Sequence, residues 1–205
     1  MSKIVIVNFG MGNIGSVVRK LTKINCVPVV ADSYKDILSA SKIILPGVGH
    51  FATCIKNLKA NGMSEALNEV VLTRDIPILG ICLGMQLMAR TSEEGNEAGL
   101  GWVDAEVVRF RVAESFRYKI PHTGWNTLKI KKESPLLQNV DLKTGFYFVH
   151  SYHMVLHEPD LVVAESDYPD AFVSVIQKNN IYGVQFHPEK SHQPGEKILL
   201  NFLNL

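Results

Sequence analysis

Ile78-Leu79-Gly80-Ile81-Cys82-Leu83-Gly84-Met85-Gln86 is an apolar run that meets a nucleophile between two glycines and continues into helix-favouring residues. This order is typical of a nucleophile elbow. Such a turn holds its central residue in a strained backbone conformation, and β-carbons two positions to either side would collide with neighbouring chain. The stretch therefore predicts a buried strand, a tight bend at Cys82 and a helix. The sulfur would lie at the carboxyl edge of a sheet, where open α/β folds bind their ligands.

The sequence on either side of this bend predicts the rest of the sheet. Short apolar runs that predict strands (3–7, 28–31, 42–45 and 76–81) alternate with helical patterns (13–23, 33–38, 51–58, 63–72 and 83–89). This alternation indicates βαβ units and a parallel sheet. Further strand-like runs follow Trp102 with little helix between them, before a last helix at 196–203; they lie at 103–110, 127–130, 146–149, 161–164, 172–176 and 181–186.

We therefore predict an α/β fold. An open, mostly parallel central sheet would be flanked by helices, with a strand-rich, partly antiparallel C-terminal half. The absence of repeats, low-complexity tracts and linkers favours a single domain over residues 1–205, because a second core would be cramped at this length.

Composition excludes several classes of function. Hydrophobic residues make up 46% of the 205 residues, which is enough for a sizeable core, and 21 basic residues nearly balance 20 acidic ones. A formal charge of +1 gives no reason to expect nucleic acid or a membrane surface as partner. The first apolar run is too short for a signal peptide. Three widely spaced cysteines do not form a disulfide pattern, so we expect a reducing, cytoplasmic location.

Cys82 is the candidate nucleophile. The amino end of the following helix carries partial positive charge, which favours a thiolate. The backbone amide of Leu83 is placed to stabilise an oxyanion. Cys26 and Cys54 have no such surroundings in the sequence, and we interpret them as structural.

His187 is the candidate base. A cysteine nucleophile needs an imidazole to move its proton, and the imidazole needs an acceptor that orients it. The last predicted strand ends in Phe186-His187-Pro188-Glu189. Because Pro188 keeps His187 extended, and residues two apart on an extended run share a face, Glu189 is expected to hold one ring nitrogen while the other faces Cys82.

A second glycine-rich turn is a candidate oxyanion loop. Pro46-Gly47-Val48-Gly49 follows a strand that is predicted to neighbour the elbow strand. Glycines around Val48 allow its peptide to turn an amide into the site as a second donor. An ordinary strand-to-helix turn would have the same sequence features.

A third glycine-rich turn supports a competing hypothesis. Gly10-Met11-Gly12-Asn13-Ile14-Gly15 fits the dinucleotide-binding pattern, with Asp32 downstream where a ribose-binding acid would lie. That hypothesis explains neither the elbow nor His187. We also expect no metal site, since His150 and His153 are three apart on a predicted strand and face opposite ways, and neither they nor His157 has a cysteine nearby to complete a zinc pattern. No cofactor is expected.

Taken together, these motifs resemble the class I, triad-type glutamine amidotransferases, and most closely the amidotransferase subunits of imidazole glycerol phosphate synthases. The resemblance covers essentially the whole chain. Besides the motifs already quoted it includes Pro121-His122-Thr123-Gly124-Trp125-Asn126, Tyr147-Phe148-Val149-His150-Ser151-Tyr152 and Gly183-Val184-Gln185-Phe186-His187-Pro188-Glu189-Lys190-Ser191.

The resemblance implies a glutaminase with a Cys82–His187–Glu189 triad that releases ammonia through a glutamyl thioester. It also implies an oxyanion hole formed by Gly47, Val48 and Leu83, and a glutamine site formed by Gln86, Ser151 and Tyr152. A (β/α)₈-barrel cyclase would be the heterodimer partner, receiving the ammonia to make imidazole glycerol phosphate and aminoimidazole carboxamide ribotide in histidine biosynthesis. The positions that match the family's subunit interface are Asn13, Trp125, Asn126, Tyr147 and Lys190.

Other hypotheses stay open at this point. Asn8 and Thr123 differ from the residues usual in the family, so a paralogous subunit that supplies ammonia to a synthase modifying surface-polysaccharide sugars would look similar. A stand-alone cysteine hydrolase on the same fold is a second alternative, and a non-catalytic dinucleotide-binding protein is a third.

Overall fold

The computed structural model of the chain describes residues 3–113 and 116–205. Its strands are β1 (Ile4–Val7), β2 (Val29–Ala31), β3 (Lys42–Gly47), β4 (Ile78–Cys82), β5 (Thr91–Ser92), β6 (Glu97–Ala98), β7 (Ala105–Arg109), β8 (His122–Asn126), β9 (Lys129–Ile130), β10 (Phe146–His150), β11 (Tyr152–Leu156), β12 (Val162–Asp167), β13 (Ala171–Lys178) and β14 (Ile181–Val184). Its α-helices are α1 (Ile14–Lys23), α2 (Tyr34–Leu38), α3 (Phe51–Ala60), α4 (Met63–Asn68), α5 (Leu83–Gln86) and α6 (His192–Leu203).

An eight-stranded sheet in the order β2-β1-β3-β4-β14-β13-β12-β9 forms the centre of the fold. Its first five strands are parallel and the last three pair antiparallel. The predicted α/β fold, with a mostly parallel sheet and a partly antiparallel C-terminal half, is confirmed. The elbow strand β4 lies at the middle of this sheet, with β3 on one side and β14 on the other, so the ends of all three strands meet at one edge.

Both faces of this sheet are covered, as is usual where strands are parallel. All four residues of β1 are buried. Val5 and Val7 pack on the face covered by α3 and α4, whereas Ile4 and Ile6 pack on the face covered by α1 and α6. This two-sided burial explains why the strand is a continuous apolar run rather than an alternating one. No helix within the described residues has the length and apolar character that a membrane span requires.

Two smaller sheets occupy the strand-rich half. One pairs β10 with β8, and the other has the order β11-β7-β5-β6. Four strands of these sheets were not predicted from the sequence: β5, β6, β8 and β11. In β8, Gly124 at φ +141° separates Thr123 from Trp125 and Asn126 ends the strand, and neither glycine nor asparagine favours strand. β11 begins two residues after β10 ends, so no turn residues separate the two strands in the sequence.

Three predicted helices have other bounds in the structure. The helix predicted over 63–72 is α-helical only to Asn68 and continues as a π-helix over Glu69–Thr73. The elbow helix, predicted to residue 89, ends at Gln86, and the last helix begins at His192, earlier than predicted. Because α5 is a single turn, few peptide dipoles add up at its amino end, and its contribution to the field at Cys82 is correspondingly small.

Candidate active site

Cys82 occupies the bend between β4 and α5. Its backbone has φ 54° and ψ −112°, in a region that side chains rarely adopt. The flanking glycines are sterically required, because a Cβ on Gly80 would lie 2.7 Å from Gly84 O and one on Gly84 would lie 1.8 Å from Leu45 O. The bend predicted from the sequence is therefore present, together with the steric reason for its glycines.

His187 and Glu189 form a buried pair just after β14. His187 Nδ1 lies 2.8 Å from Glu189 Oε1, and the two side chains are 2% and 1% exposed. The sequence analysis expected an extended run through both residues. His187 is extended, but Pro188–Lys190 forms one turn of 3-10 helix that brings the carboxylate back to the ring. The expected pairing is present, and the expectation that strand alternation produces it was wrong.

The charge of His187 is set by its two neighbours. Burial alone lowers the pKa of this imidazole, but the charge of Cys82 and the hydrogen bond and charge of Glu189 outweigh burial and raise the pKa to about 10. The ring is then a cation at neutral pH. Among the described residues, Nε2 of His187 has no hydrogen-bond partner. This nitrogen is available for proton transfer in the pocket that His187 shares with Cys82.

That pocket has a volume of about 320 Å³. It is lined by Val48, Gly49, Cys82, Leu83, Gln86, Glu94, Pro121, Val149, His150, Ser151, Tyr152 and His187. The structure thus brings together the candidate nucleophile, the candidate base, the candidate oxyanion donors Val48 and Leu83, and the three residues that the resemblance assigned to glutamine. A larger cavity of about 570 Å³ lies beside Pro135. Its described lining residues include neither cysteine nor histidine, so it lacks the nucleophile and the base that the smaller pocket contains.

The Gly47–Gly49 turn packs directly against the elbow. Gly47 is the register partner of Cys82 in the β3–β4 pair. A Cβ on Gly47 would lie 2.6 Å from Gly84 N, so only glycine permits this approach. Gly49 has φ +109°, a conformation that favours glycine. Both glycines thus place Val48 at the mouth of the pocket, beside Leu83.

Two glutamine side chains connect the pocket wall to the sulfur. Gln86 is buried, and its Nε2 donates to Tyr152 O and to Gln185 Oε1, both at 2.9 Å. Gln185 Nε2 in turn donates to Cys82 Sγ at 3.5 Å. Both hydrogens of the Gln86 amide are therefore used inside the protein, and only its oxygen is left to interact with a bound molecule.

Sequence reasoning missed Glu94, Gln185 and His150 as parts of the site. Glu94 lines the pocket, and its Oε2 accepts a hydrogen bond from Phe51 N at 2.8 Å. It lies in the β5–β6 turn, whose short strands gave no periodic signal. Gln185 was visible only as a neighbour of His187, two positions before it. His150 was considered as a metal ligand rather than as part of the pocket wall.

The residues assigned by resemblance to a partner interface lie near one another beside the triad. β8 and β10 place Trp125 opposite Tyr147, and Trp125, which is 50% exposed, stacks on His192 at 4.9 Å. Lys190 Nζ lies 5.5 Å above the Tyr147 ring. Asn13 Nδ2 donates to Glu189 Oε1 at 3.3 Å, so this surface reaches the buried carboxylate.

The loop at residues 10–15 lacks two contacts that a dinucleotide site needs. In that fold the third glycine allows close packing of helix on strand. A Cβ on Gly15 would meet no atom of the described residues within 4 Å. Asp32 Oδ1 accepts a hydrogen bond from Asn8 Nδ2 at 2.5 Å, so one oxygen of this carboxylate already has a partner within the protein.

Cys54 and Cys26 lie outside the pocket, and both are less acidic than an ordinary thiol. Cys54 is fully buried in the core, and burial raises the pKa of its thiol to about 12. Cys26 is partly buried, and burial raises the pKa of this thiol too. Within residues 3–113 and 116–205 there is no group of three His, Cys, Asp or Glu side chains suited to a metal ion.

Comparison with known proteins gives a family and a set of relatives. The model of the family described as "Glutamine amidotransferase class-I" matches residues 5–205. The chain is 42% identical over 200 residues to imidazole glycerol phosphate synthase subunit HisH 2 of Methanococcus maripaludis, covering 98% of both chains. It is 45% identical over 203 residues to subunit HisH 1 of Campylobacter jejuni, covering 98% of this chain and all of the relative.

Solved structures share the fold at lower identity. The crystal structure of a glutamine amidotransferase has a TM-score of 0.72 and 18% identity, covering 98% of this chain and 97% of that one. The structure of PurLQS from Thermotoga maritima has a TM-score of 0.71 and 19% identity, covering 100% of this chain and 99% of that one.

Proposed function

We propose that this chain, which belongs to the class I glutamine amidotransferase family, is the glutaminase subunit of an imidazole glycerol phosphate synthase. Its family membership follows from the family-model match over residues 5–205. The observation that carries the proposed activity is one pocket that contains Cys82 at a strained bend and the unpaired Nε2 of the buried His187. The relatives that share about two fifths of its sequence over its whole length support the named synthase.

The proposed reaction begins with the Cys82 thiolate, which attacks the carboxamide carbon of glutamine. The His187 imidazolium then gives its proton to the leaving nitrogen as the C–N bond breaks, so ammonia departs and a glutamyl thioester remains. Neutral His187 next takes a proton from water, whose oxygen attacks the thioester carbonyl. The C–S bond breaks, glutamate leaves and the thiolate is restored. Glu189 orients the ring through Nδ1 and stabilises its positive charge.

The backbone amides of Val48 and Leu83 are the proposed oxyanion donors, with Gly47 allowing the approach of the two segments. Such donors act where charge develops, in a site that excludes water. Ser151, Tyr152 and the free oxygen of Gln86 are assigned to the polar groups of the substrate. We add Glu94 to this set, because a carboxylate on the pocket wall suits the α-ammonium group of glutamine.

The ammonia is proposed to pass to a (β/α)₈-barrel cyclase bound as a heterodimer partner. Free ammonia would be protonated in water and lose its lone pair, so a dry passage protects the nucleophile. The surface that contains Asn13, Trp125, Asn126, Tyr147 and Lys190 is the proposed docking face. A partner docked on this face would lie beside the reaction, because Asn13 on the same face donates a hydrogen bond to Glu189 Oε1. All three cysteines of the described structure are unpaired, which fits the cytoplasm as the compartment.

Labelling tests the glutaminase proposal. A glutamine analogue that carries an alkylating group is incubated with the chain, and the modified residue is identified by mass spectrometry. We expect labelling in the unsubstituted protein and in Cys26→Ala, and its loss in Cys82→Ala. Labelling that persists in Cys82→Ala contradicts the assignment.

The partner makes a second test possible. A glutaminase running alone would waste glutamine, so we expect weak ammonia release from the isolated chain and a large increase when the cyclase and its ligand bind. The Val48 peptide is the proposed switch, since a change in its orientation would complete the oxyanion hole. Equal turnover with and without the liganded cyclase contradicts this gating. A cyclase that accepts the ammonia into an imidazole product separates the proposal from a paralogous sugar-modifying system.

A further inference from the structure

Two buried histidines lie between the proposed docking face and the glutamine pocket. His122 on β8 and His150 on β10 are register partners, and their nitrogens His122 Nδ1 and His150 Nε2 are 3.0 Å apart. On one side, Asn126 Nδ2 lies 3.4 Å from His122 Nε2. On the other, His150 Nδ1 lies 2.8 Å from Tyr152 O. We call Asn126, His122 and His150 the histidine link.

The donor and the acceptor of each hydrogen bond in the histidine link can be assigned from the groups at its two ends. A backbone carbonyl only accepts, so His150 Nδ1 carries the hydrogen that it donates to Tyr152 O. Burial lowers the pKa of His150 to about 3 and that of His122 to about 4, so both rings are neutral near pH 7. Neutral His150 then accepts at Nε2 from His122 Nδ1, and His122 accepts at Nε2 from Asn126.

The side-chain amide of Asn126 uses its oxygen and both of its hydrogens in hydrogen bonds within the protein. Its Nδ2 also donates to Asp167 O at 2.9 Å, and its Oδ1 accepts from Thr127 N at 2.8 Å. The amide orientation is therefore fixed by backbone groups, and one hydrogen remains to point at His122. The histidine link consequently has a single consistent direction from Asn126 to Tyr152 O.

The histidine link crosses the bend that joins the two small sheets. β10 ends at His150 and pairs with β8, whereas β11 begins at Tyr152 and pairs with β7. Only Ser151 separates them. The His150 ring reaches over Ser151 to the Tyr152 carbonyl, which also accepts from Gln86. Through Gln86 and Gln185 the same set of hydrogen bonds continues to Cys82 Sγ.

We propose that the histidine link positions the residues that bind glutamine. It connects the docking face to the bend at Ser151 and holds the pocket wall formed by Ser151 and Tyr152 in place. The inference rests on the proposed function. None of its three members is assigned to the chemistry, and they act through the backbone that the substrate contacts. A change at Asn126 when a partner docks would reach the pocket through two imidazoles.

Two substitutions of His122 test separately its hydrogen bond to His150 and its hydrogen bond to Asn126. Asn places a donor near the position of Nδ1 and keeps the bond to His150, whereas Gln places an acceptor near Nε2 and leaves His150 Nε2 without a donor. We expect His122→Gln to raise the KM for glutamine about tenfold, the cost of one buried group left unpaired. We expect kcat to change less than about threefold, since the triad is intact, and His122→Asn to stay within about threefold of the unsubstituted KM.

His153→Gln is the matched control, because His153 stacks on Phe110 in the same aromatic cluster but lies outside the histidine link. An equal rise in KM for His153→Gln, or equal KM values for the two His122 variants, would assign the effect to packing and overturn the proposal. Loss of all ammonia release and of Cys82 labelling in the unsubstituted chain would instead be a failure of the proposed function.

A second measurement needs no variant to fold. In protein labelled with ¹⁵N-histidine, imidazole shifts should show the Nδ1–H tautomer for both His122 and His150. The signals of His122, which does not line the pocket, should shift when the glutamine analogue occupies Cys82. The opposite tautomer at either ring, or His122 signals unmoved by the bound analogue, would overturn the proposal.

Discussion

The active site is assembled from two halves of the molecule that fix their side chains in different ways. In the parallel half, the backbone does the positioning. The first turn of α5 packs so closely on β3 and β4 that Gly47, Gly80 and Gly84 leave no room for a side chain. In the strand-rich half, which supplies Ser151 and Tyr152, positions depend on hydrogen bonds among buried polar side chains. Steric limits can be recognised in the sequence as glycines at fixed spacings. Hydrogen bonds between distant polar side chains have no such local pattern.

The largest expected effect concerns the point where the halves meet. His187→Ala should lower kcat for glutamine hydrolysis by about 10²–10⁴-fold, because general acid–base assistance is lost while the elbow remains. Ammonia release is measured in the presence of the cyclase, with circular dichroism to verify folding. Turnover within a few-fold of the unsubstituted enzyme would remove His187 from the mechanism.

Gly84→Ala tests steric control in the parallel half. The added Cβ would lie 1.8 Å from Leu45 O, a backbone atom of a central strand, so the free energy of unfolding should fall by about 3 kcal/mol. Gly15→Ala is the matched control, since its Cβ meets no described atom within 4 Å and the residue is helical. This variant should be about 0.5–1 kcal/mol more stable. Urea unfolding measures both, and similar values for the two would refute steric control.

Glu189→Gln should have a smaller effect than His187→Ala, of about tenfold in kcat, because an acceptor for Nδ1 remains while the stabilising charge is lost. The same loss of charge lowers the pKa of His187, since the carboxylate is one of the groups that raise it. The pH profile of Cys82 alkylation by iodoacetamide, which requires no glutamine binding, measures this shift. A profile identical to that of the unsubstituted chain would contradict the role of Glu189.

The pH dependence of stability should have opposite signs at His187, beside the elbow, and at His122, in the strand-rich half. The pKa of His187 is raised from an ordinary 6.5 to about 10, so its stabilisation is complete below about pH 6.5 and declines as pH rises towards 10. The pKa of His122 is lowered to about 4, so its stabilisation is complete above about pH 6.5 and declines as pH falls towards 4.

Urea unfolding at several pH values separates the two signs. His187→Gln should reduce the alkaline decline and leave the acid one, whereas His122→Asn should reduce the acid decline and leave the alkaline one, with the share that comes from His150 remaining. If both variants flattened the same side of the profile, the comparison between the halves would not hold for their histidines.

The sequence allowed prediction of the parts of the site that depend on steric limits. Gly80, Cys82 and Gly84 predicted the bend because glycines beside a nucleophile after an apolar strand have few other reasons to be there. The pairing of His187 with Glu189 was also predicted, although a turn rather than an extended strand produces it. The parallel pairing of β3 with β4 was predicted from the alternation of strands and helices, whereas the place of β14 on the other side of β4 was not.

The remaining parts depend on contacts between distant positions. Gln185 meets Cys82 across 103 positions and His122 meets His150 across 28, and neither spacing has a local pattern. Glu94 enters the pocket from a turn between two-residue strands. β8 was not predicted because Gly124 and Asn126 do not favour strand, and it is stabilised by pairing with β10. Tertiary context, rather than propensity, decides these segments.

Trp125 gives this protein a built-in optical reporter. Of the two tryptophans in the chain, Trp102 is buried with its Nε1 bonded to Asn68 Oδ1, whereas Trp125 is half-exposed on the ring of His192. Covering an exposed indole moves its emission to shorter wavelength, while an indole already enclosed changes little. Docking of a partner on this surface should therefore produce a blue shift that comes from Trp125 alone and reads out assembly without any attached dye.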